Sequence, residues 1–287
     1  MRLTGPDYPA PAKLNLFLHV LGRRDDGYHL LQSAFVLIDR CDRLRFRVRA
    51  DGVVARVNEV PGVPADEDLA VRAALALRAA SGTPLGVDIE LEKQIPIGGG
   101  LGGGSSDAAT TLIALDRLWS TGMRPEALAA VGAGLGADVP FFLFGGNAWV
   151  EGIGERLSAL AVAIRWYVVL IPSEAIPTRV VFAAPELTRD TEALKMEDFS
   201  AHPEAARFRN DLEAVVVSRY PVVAEHLAWL GRHGKARMTG SGSCVFAGFD
   251  SREGAQRVID ALPAGMNGFI ARGLDQHPLA RAADVGE

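Results

Sequence analysis

The sequence predicts an α+β fold built on antiparallel or mixed sheets. Alternating apolar–polar strands and amphipathic helices recur along the 287 residues, but in no regular βα order, which argues against a doubly wound parallel sheet. Apolar residues make up 48% of the chain, enough for a sizeable core. No internal repeat is visible. A division into two domains, 1–160 and 161–287, is expected near 155–165.

The elements follow in order. Ala12 to Val20 alternates, with Leu14, Leu16 and Leu18 on one face and Lys13, Asn15 and Phe17 on the other, and reads as a strand. Leu44 to Arg49 alternates more strictly, arginines on the wet face, and Val53 to Val57 is expected as its hairpin partner. Asp66 to Ala80 reads as a helix with an acidic start and Gly82 as its stop. Val87 to Glu92 is a half-buried strand, Asp107 to Trp119 a helix with Ser105 or Ser106 as its N-cap, and Pro125 to Gly134 another helix. Ala137 to Pro140 is a turn and Trp149 to Leu157 a bent hairpin. In the second half, 166–172 is a strand, Pro177 to Ala184 a short helix or extended turn, and Ala193 to Pro203 a surface loop. Two helices, Asp211 to Tyr220 and Val222 to His233, are split by Pro221. Arg237 to Ala247 is strand, tight turn, strand; Ser251 to Leu262 is an amphipathic helix and Gly268 to Arg272 the last strand.

Composition bounds the function. A net charge of −5 argues against nonspecific nucleic-acid binding, which needs clustered Lys and Arg. The two cysteines, Cys41 and Cys244, have no paired spacing, which fits a reducing compartment and disfavours zinc. Apolar runs such as Val139–Phe144 are too short to span a bilayer. A cytoplasmic protein is expected, with neither nucleic acid nor membrane as partner.

The segment most loaded with chemistry is Ile95-Pro96-Ile97-Gly98-Gly99-Gly100-Leu101-Gly102-Gly103-Gly104-Ser105-Ser106, with six glycines in seven residues. It lies between a strand and a helix N-terminus. Glycine reaches φ > 0 without cost, so successive N–H groups can turn inward around an anion, and the helix dipole adds to the attraction. Walker A is excluded because Gly104 holds its Lys position. A dinucleotide fingerprint fits poorly, since the acidic residue at the right distance, Asp116, falls inside the helix.

Three segments together resemble the GHMP kinase superfamily: Pro11-Ala12-Lys13-Leu14-Asn15-Leu16, the glycine loop, and Thr239-Gly240-Ser241-Gly242-Ser243-Cys244. Asp26-Gly27-Tyr28-His29, Leu135 to Pro140 and Asn267-Gly268-Phe269 extend the likeness over almost the whole chain, and toward the branch that acts on a cytidine diphosphate polyol. The resemblance implies two subdomains with the active site in the cleft between them. It implies transfer of the γ-phosphoryl group of ATP, with Mg²⁺, to the 2-hydroxyl of a methylerythritol moiety. Mevalonate, homoserine or a sugar is the alternative acceptor, but none has a base for Tyr28-His29 to bind. A nucleotide-binding regulator without turnover would have no use for both Lys13 and Asp138. A monomer or weak homodimer is expected.

Alone, a strand Lys is a solvated charge and Asp before Val-Pro a turn residue. The resemblance makes Lys13 and Asp138 the catalytic pair and Asn15 a substrate hydrogen-bonder. It assigns phosphate binding to Pro96, Gly98, Gly99, Gly100, Leu101, Gly102, Gly103, Gly104, Ser105 and Ser106. Tyr28 and Phe182 would face each other across the cytosine, His29 would read its edge, and Thr239 and Gly240 would support loop and substrate. Asp107 is read as helix-stabilising or metal-proximal, and the metal ligands are left open. The likeness departs at Asp68, where members often carry Asn near the adenine pocket; a helix cap suits Asp68 equally.

Overall fold

Two long strands organise the chain. A computed structural model describes residues 3–281. In it β1 (Tyr8–Arg23) and β2 (His29–Arg49) form an antiparallel hairpin closed by the turn at Asp25–Gly27. Behind β2 come β3 (Val54–Arg56), α1 (Leu69–Ser81), β4 (Gly86–Glu92), α2 (Gly103–Leu118), α3 (Pro125–Ala133), α4 (Val139–Phe144), β5 (Ala148–Gly152) and β6 (Arg156–Ala159). The second half supplies β7 (Trp166–Leu170), α5 (Thr178–Phe182), α6 (Met196–Ala201), α7 (Glu213–Arg219) and α8 (Pro221–Leu230). It ends with β8 (Arg237–Met238), β9 (Val245–Phe249), α9 (Arg252–Asp260), β10 (Gly268–Leu274) and α10 (Pro278–Arg281).

β2 is the hub. Along one edge it pairs with β1; along the other it meets β4 through 43–49, β10 through 37–38 and β5 through 31–35, all antiparallel. β10 continues to β7, β9 and β8, so the last of the described strands stitches the two halves into one mixed sheet. Helices α1, α2 and α4 bury apolar faces against β2, β4 and β5, while α7, α8 and α9 cover β7 and β9. A third apolar cluster, including Leu14, Phe17, Val169, Phe199, Phe208 and Phe246, joins the halves. Among the described residues no helix is long and apolar enough to cross a membrane.

Five details differ from the sequence expectations. β3 is not a hairpin partner of β2; it pairs in parallel with β4, which lies between them. Gly86 permits this, because a Cβ there would stand 2.1 Å from Val53 O. The 193–203 stretch contains α6, which buries Phe199 against Phe17, Trp149 and Phe208. Helix α2 begins inside the glycines, with Gly102 rather than a serine as N-cap. The turn at Asp138 runs directly into α4, with Asp138 as its N-cap residue.

The fifth is in β1. Asn15 pairs with Phe35 but Phe17 with Ala34, so Leu16 is an extra residue, a β-bulge. The bulge reverses the alternation. Phe17 packs in the same cluster as Leu14, while Leu18 turns to the side of Lys13 and Asn15. Arg237 Nη1 donates to Leu16 O at 2.9 Å and secures the bulge.

Candidate active site

A cleft of about 710 Å³ opens where the glycine loop, β1 and the turn after β8 converge. Its walls bring together segments far apart in sequence, and backbone contacts explain why glycine is required. Lys13 N donates to Leu101 O at 3.0 Å, and Cys244 N to Gly99 O at 3.2 Å. A Cβ on Gly100 would stand 2.2 Å from Thr239 O, and one on Gly99 2.6 Å from Cys244 Sγ. One on Gly102 would lie 3.1 Å from Lys13 Cγ. The close approach that the glycines allow is therefore first to the protein itself.

The loop still has the form of an anion cradle. Gly98, Gly100 and Gly102 have φ of 74°, 77° and 72°, while the residues between them are not left-handed, the alternation that turns successive N–H groups to one side. The first helical hydrogen bond of α2 runs from Ser106 N to Gly102 O at 2.9 Å, leaving the N–H groups of Gly103, Gly104 and Ser105 ahead of it. The positive end of α2 thus points where the loop opens.

Lys13 stands at the floor. Only 3% exposed, it is no solvated strand lysine. Its Nζ donates to Asn15 Oδ1 at 2.5 Å, lies 3.4 Å from Asp138 Oδ2, and sits 4.6 Å from the centre of the Phe35 ring. Asp138, at the start of α4, is one-third exposed. Asn15 is fixed by its partners: Nδ2 donates to Ser33 Oγ at 3.2 Å, and its backbone N–H to Thr239 Oγ1 at 3.0 Å. Thr239 is wholly buried and acts from behind Asn15. Ser106 is also buried, its hydroxyl donating to Pro11 O at 2.6 Å, so it does not line the cleft and is removed from the phosphate-binding set. The remaining expected loop residues, Pro96, Gly98 to Gly104 and Ser105, do line it, as does Gly240.

Beside the loop lies a charged cluster. Lys93 Nζ bonds Asp107 Oδ2 at 2.6 Å and also Asp42. Two buried carboxylates share one ammonium. Burial raises the Asp107 carboxyl to about 8 against the pull of Lys93, and the like charge of Asp42 adds to the rise. Burial opposes the Lys93 charge, but Asp107 and Asp42 outweigh it and the ammonium is held above its ordinary value. Asp68 caps α1 through Ala70 N at 2.8 Å and meets Arg56 at 2.5 Å.

The opposite end of the cleft is aromatic. Tyr28 is 61% exposed at its mouth. The ring of Phe182 packs on His29, at 5.0 Å between centres and 34° between planes. Arg189 Nε donates to His29 Nε2 at 3.1 Å. Burial, then Arg189 and Arg23, hold the His29 imidazole below its ordinary value. Lys93, Ser33, Leu18 and Arg189 did not stand out in the sequence. Lys93 directly follows a strand and precedes the loop, a usable signal; Arg189 lies in a polar stretch with none.

Two family models match: GHMP kinases N terminal domain over residues 68–146, and GHMP kinases C terminal over 190–268. The 4-diphosphocytidyl-2-C-methyl-D-erythritol kinase of Thiobacillus denitrificans is 57% identical over 272 residues, 95% of this chain and 96% of that one. The enzyme of that name from Halorhodospira halophila is 54% identical over 286 residues, covering 97% and 98%. Among solved structures, a 4-(cytidine 5'-diphospho)-2C-methyl-D-erythritol kinase superposes with a TM-score of 0.81 at 37% identity, covering 93% of this chain and 99% of that one. A mevalonate kinase superposes at 0.68 with 14% identity, covering 95% and 100%, a likeness of fold alone.

Proposed function

The chain belongs to the GHMP kinase family and, within it, to the 4-diphosphocytidyl-2-C-methyl-D-erythritol kinases; from this premise we propose how its residues carry out the reaction. That reaction is ATP-dependent phosphorylation of the 2-hydroxyl of 4-diphosphocytidyl-2-C-methyl-D-erythritol, giving the 2-phosphate and ADP, in the non-mevalonate route to isoprenoid precursors.

One observation carries the assignment of roles: the Lys13–Asp138 pair, 3.4 Å apart, sits in the same cleft as the glycine loop and the Tyr28–His29–Phe182 end. Asp138 accepts a hydrogen bond from the substrate 2-hydroxyl, aims its oxygen at the γ-phosphorus, and takes its proton. Phosphoryl transfer passes through a loose transition state, so aim and charge matter more than full deprotonation. Lys13 supplies positive charge to the moving phosphoryl group from a buried, fixed position, where an ion acts more strongly than in water. Asn15 fixes the Lys13 ammonium. The loop amides and the N–H groups of Gly103 to Ser105 hold the phosphates. Tyr28, His29 and Phe182 take the cytosine.

Among the described residues no three His, Cys, Asp or Glu side chains cluster to hold a cation. Mg²⁺ bound to a triphosphate needs only one or two protein groups, keeping waters and phosphate oxygens for the rest. Ser105 fits that mode. Its hydroxyl lines the cleft at the start of α2, 3.6 Å from where a Cβ on Gly136 would stand, beside the Asp138 turn. Bound there, the ion would neutralise phosphate charge. We set the subdomain boundary near 160, within the 147–189 interval outside both family matches. Two free cysteines, Cys41 and Cys244, support a reducing, cytoplasmic setting.

An ADP-release assay with the cytidine diphosphate polyol, mevalonate, homoserine and a sugar tests the function. Turnover of the first alone, with a new phosphate monoester at the 2-position, is expected. Comparable turnover of mevalonate or homoserine would contradict it.

A further inference from the structure

The direction of one hydrogen bond fixes the state of His29. Arg189 Nε lies 3.1 Å from His29 Nε2. A guanidinium donates and never accepts. Nε2 therefore accepts, which leaves the ring neutral with its proton on Nδ1. The same guanidinium has further donors, and all go to one place. Nη2 bonds Phe182 O at 2.9 Å and Ala184 O at 2.7 Å, and Nη1 bonds Leu187 O at 3.0 Å. These carbonyls lie at the end of α5 and in the turn after it, where helix carbonyls lack intrahelical partners. Phe182 also carries the ring that packs on His29. A single planar cation thus joins the start of β2 to the end of α5, two walls of the aromatic end of the cleft.

We propose that Arg189 is a positioning residue for base recognition, holding His29 against Phe182 as the neutral Nδ1–H tautomer so that the cleft presents a hydrogen-bond donor to an acceptor on the pyrimidine edge. This rests on the cytidine reading of the cleft. A guanidinium that merely clamped its own loop would need only the three carbonyls; the fourth bond, to the ring, gives it a part in recognition. The charged groups facing His29 are Arg189 from the segment after α5 and Arg23, its register partner on β1. Asp26 is engaged elsewhere, accepting from Tyr28 N at 3.1 Å and pairing with Arg24 at 2.7 Å. Both facing charges are positive, so both resist protonation of the ring.

Nitrogen-15 NMR of the histidine rings in the wild-type protein reads the tautomer without any variant or substrate. At pH 7 His29 should show a protonated Nδ1 and an accepting Nε2; a protonated Nε2 would overturn the proposal. Arg189→Met should raise KM for the cytidine substrate about tenfold, the scale of losing one hydrogen bond to a charged group, and leave KM for ATP unchanged. As pH falls, the variant's substrate KM should also begin to rise at a higher pH than the wild type's. In a His29→Ala background the same substitution should add little. An unchanged substrate KM, or a full multiplicative effect in that background, would overturn it. A wild type that does not phosphorylate the cytidine substrate would fail the underlying reading instead, and the NMR result would stand apart from that.

Discussion

A buried ammonium is costly unless its protons and charge are answered. Lys13 is answered by Asn15, Asp138 and the Phe35 ring, so its burial is built rather than incidental. Tyr28 is the reverse, a large ring left exposed at the mouth of the cleft. Base stacking on an aromatic ring is worth about 1–3 kcal/mol by alanine substitution. Tyr28→Ala should therefore raise KM for the cytidine substrate, leave KM for ATP unchanged, and leave the melting temperature unchanged. Phe182→Ala should also raise the substrate KM, with some loss of stability, because its ring packs on His29. Steady-state kinetics with each substrate varied, beside thermal melts, checks both; equal rises in the two KM values would remove these residues from the base site. Lys13 and Asp138 were legible as types in a known order. That Phe182 also packs on His29 was not, and Arg189, which bonds both segments, has no local pattern.

The glycine loop and the segment after β10 make two tests at the level of elements. Gly100→Ala would push a Cβ to 2.2 Å from Thr239 O, at a φ of 77° that L side chains avoid. Such strain costs on the order of 1–3 kcal/mol before the clash is counted, so the variant should be destabilised and should lose ATP affinity. Gly104 is exposed, and a Cβ there meets only Leu69 Cδ1 at 3.4 Å. Gly104→Ala should keep the fold and weaken ATP alone, read by calorimetric titration beside denaturant melts. His277, wholly buried after β10, donates through Nε2 to Thr110 of α2 (3.4 Å) and accepts from Leu279 N at 3.1 Å. Burial, with Arg117 adding to it, lowers its imidazole to about 4. The unfolded chain then binds the proton more tightly, so this contribution to stability is complete above pH 6.5 and is lost as pH falls toward 4. That lowering corresponds to roughly 3 kcal/mol. Urea midpoints from pH 8 to 4 should fall more steeply for the wild type than for His277→Gln; parallel curves would contradict the assignment. Most helices and strands were legible here from period, although the serine cap expected for α2 gives way to Gly102. The bulge at Leu16 was not, since reading alternation assumes a period of two, and one inserted residue sends Phe17 and Leu18 to the faces opposite those expected.

At the scale of the molecule, the α+β class and the order of most elements could be read from the sequence because each is local. Sheet partners are not local. β3 follows β2 in sequence yet pairs with β4, and β10 closes onto β2 from the far end of the chain. That closure lets residues as distant as Lys13, Gly100, Asp138 and Thr239 share one cleft. In the proposed mechanism two of them, Lys13 and Asp138, act together on the transferred phosphoryl group. Single-turnover rates of phosphoryl transfer in Asp138→Asn, Lys13→Met and the double variant test it most directly. A positioned carboxylate in proton transfer is worth about 10²–10⁴ in rate. Asp138→Asn should lose that much while both substrates still bind, Lys13→Met should also slow transfer, and the double variant should lose far less than the product of the two. A near-normal rate in Asp138→Asn, or losses that multiply in full, would contradict the claim.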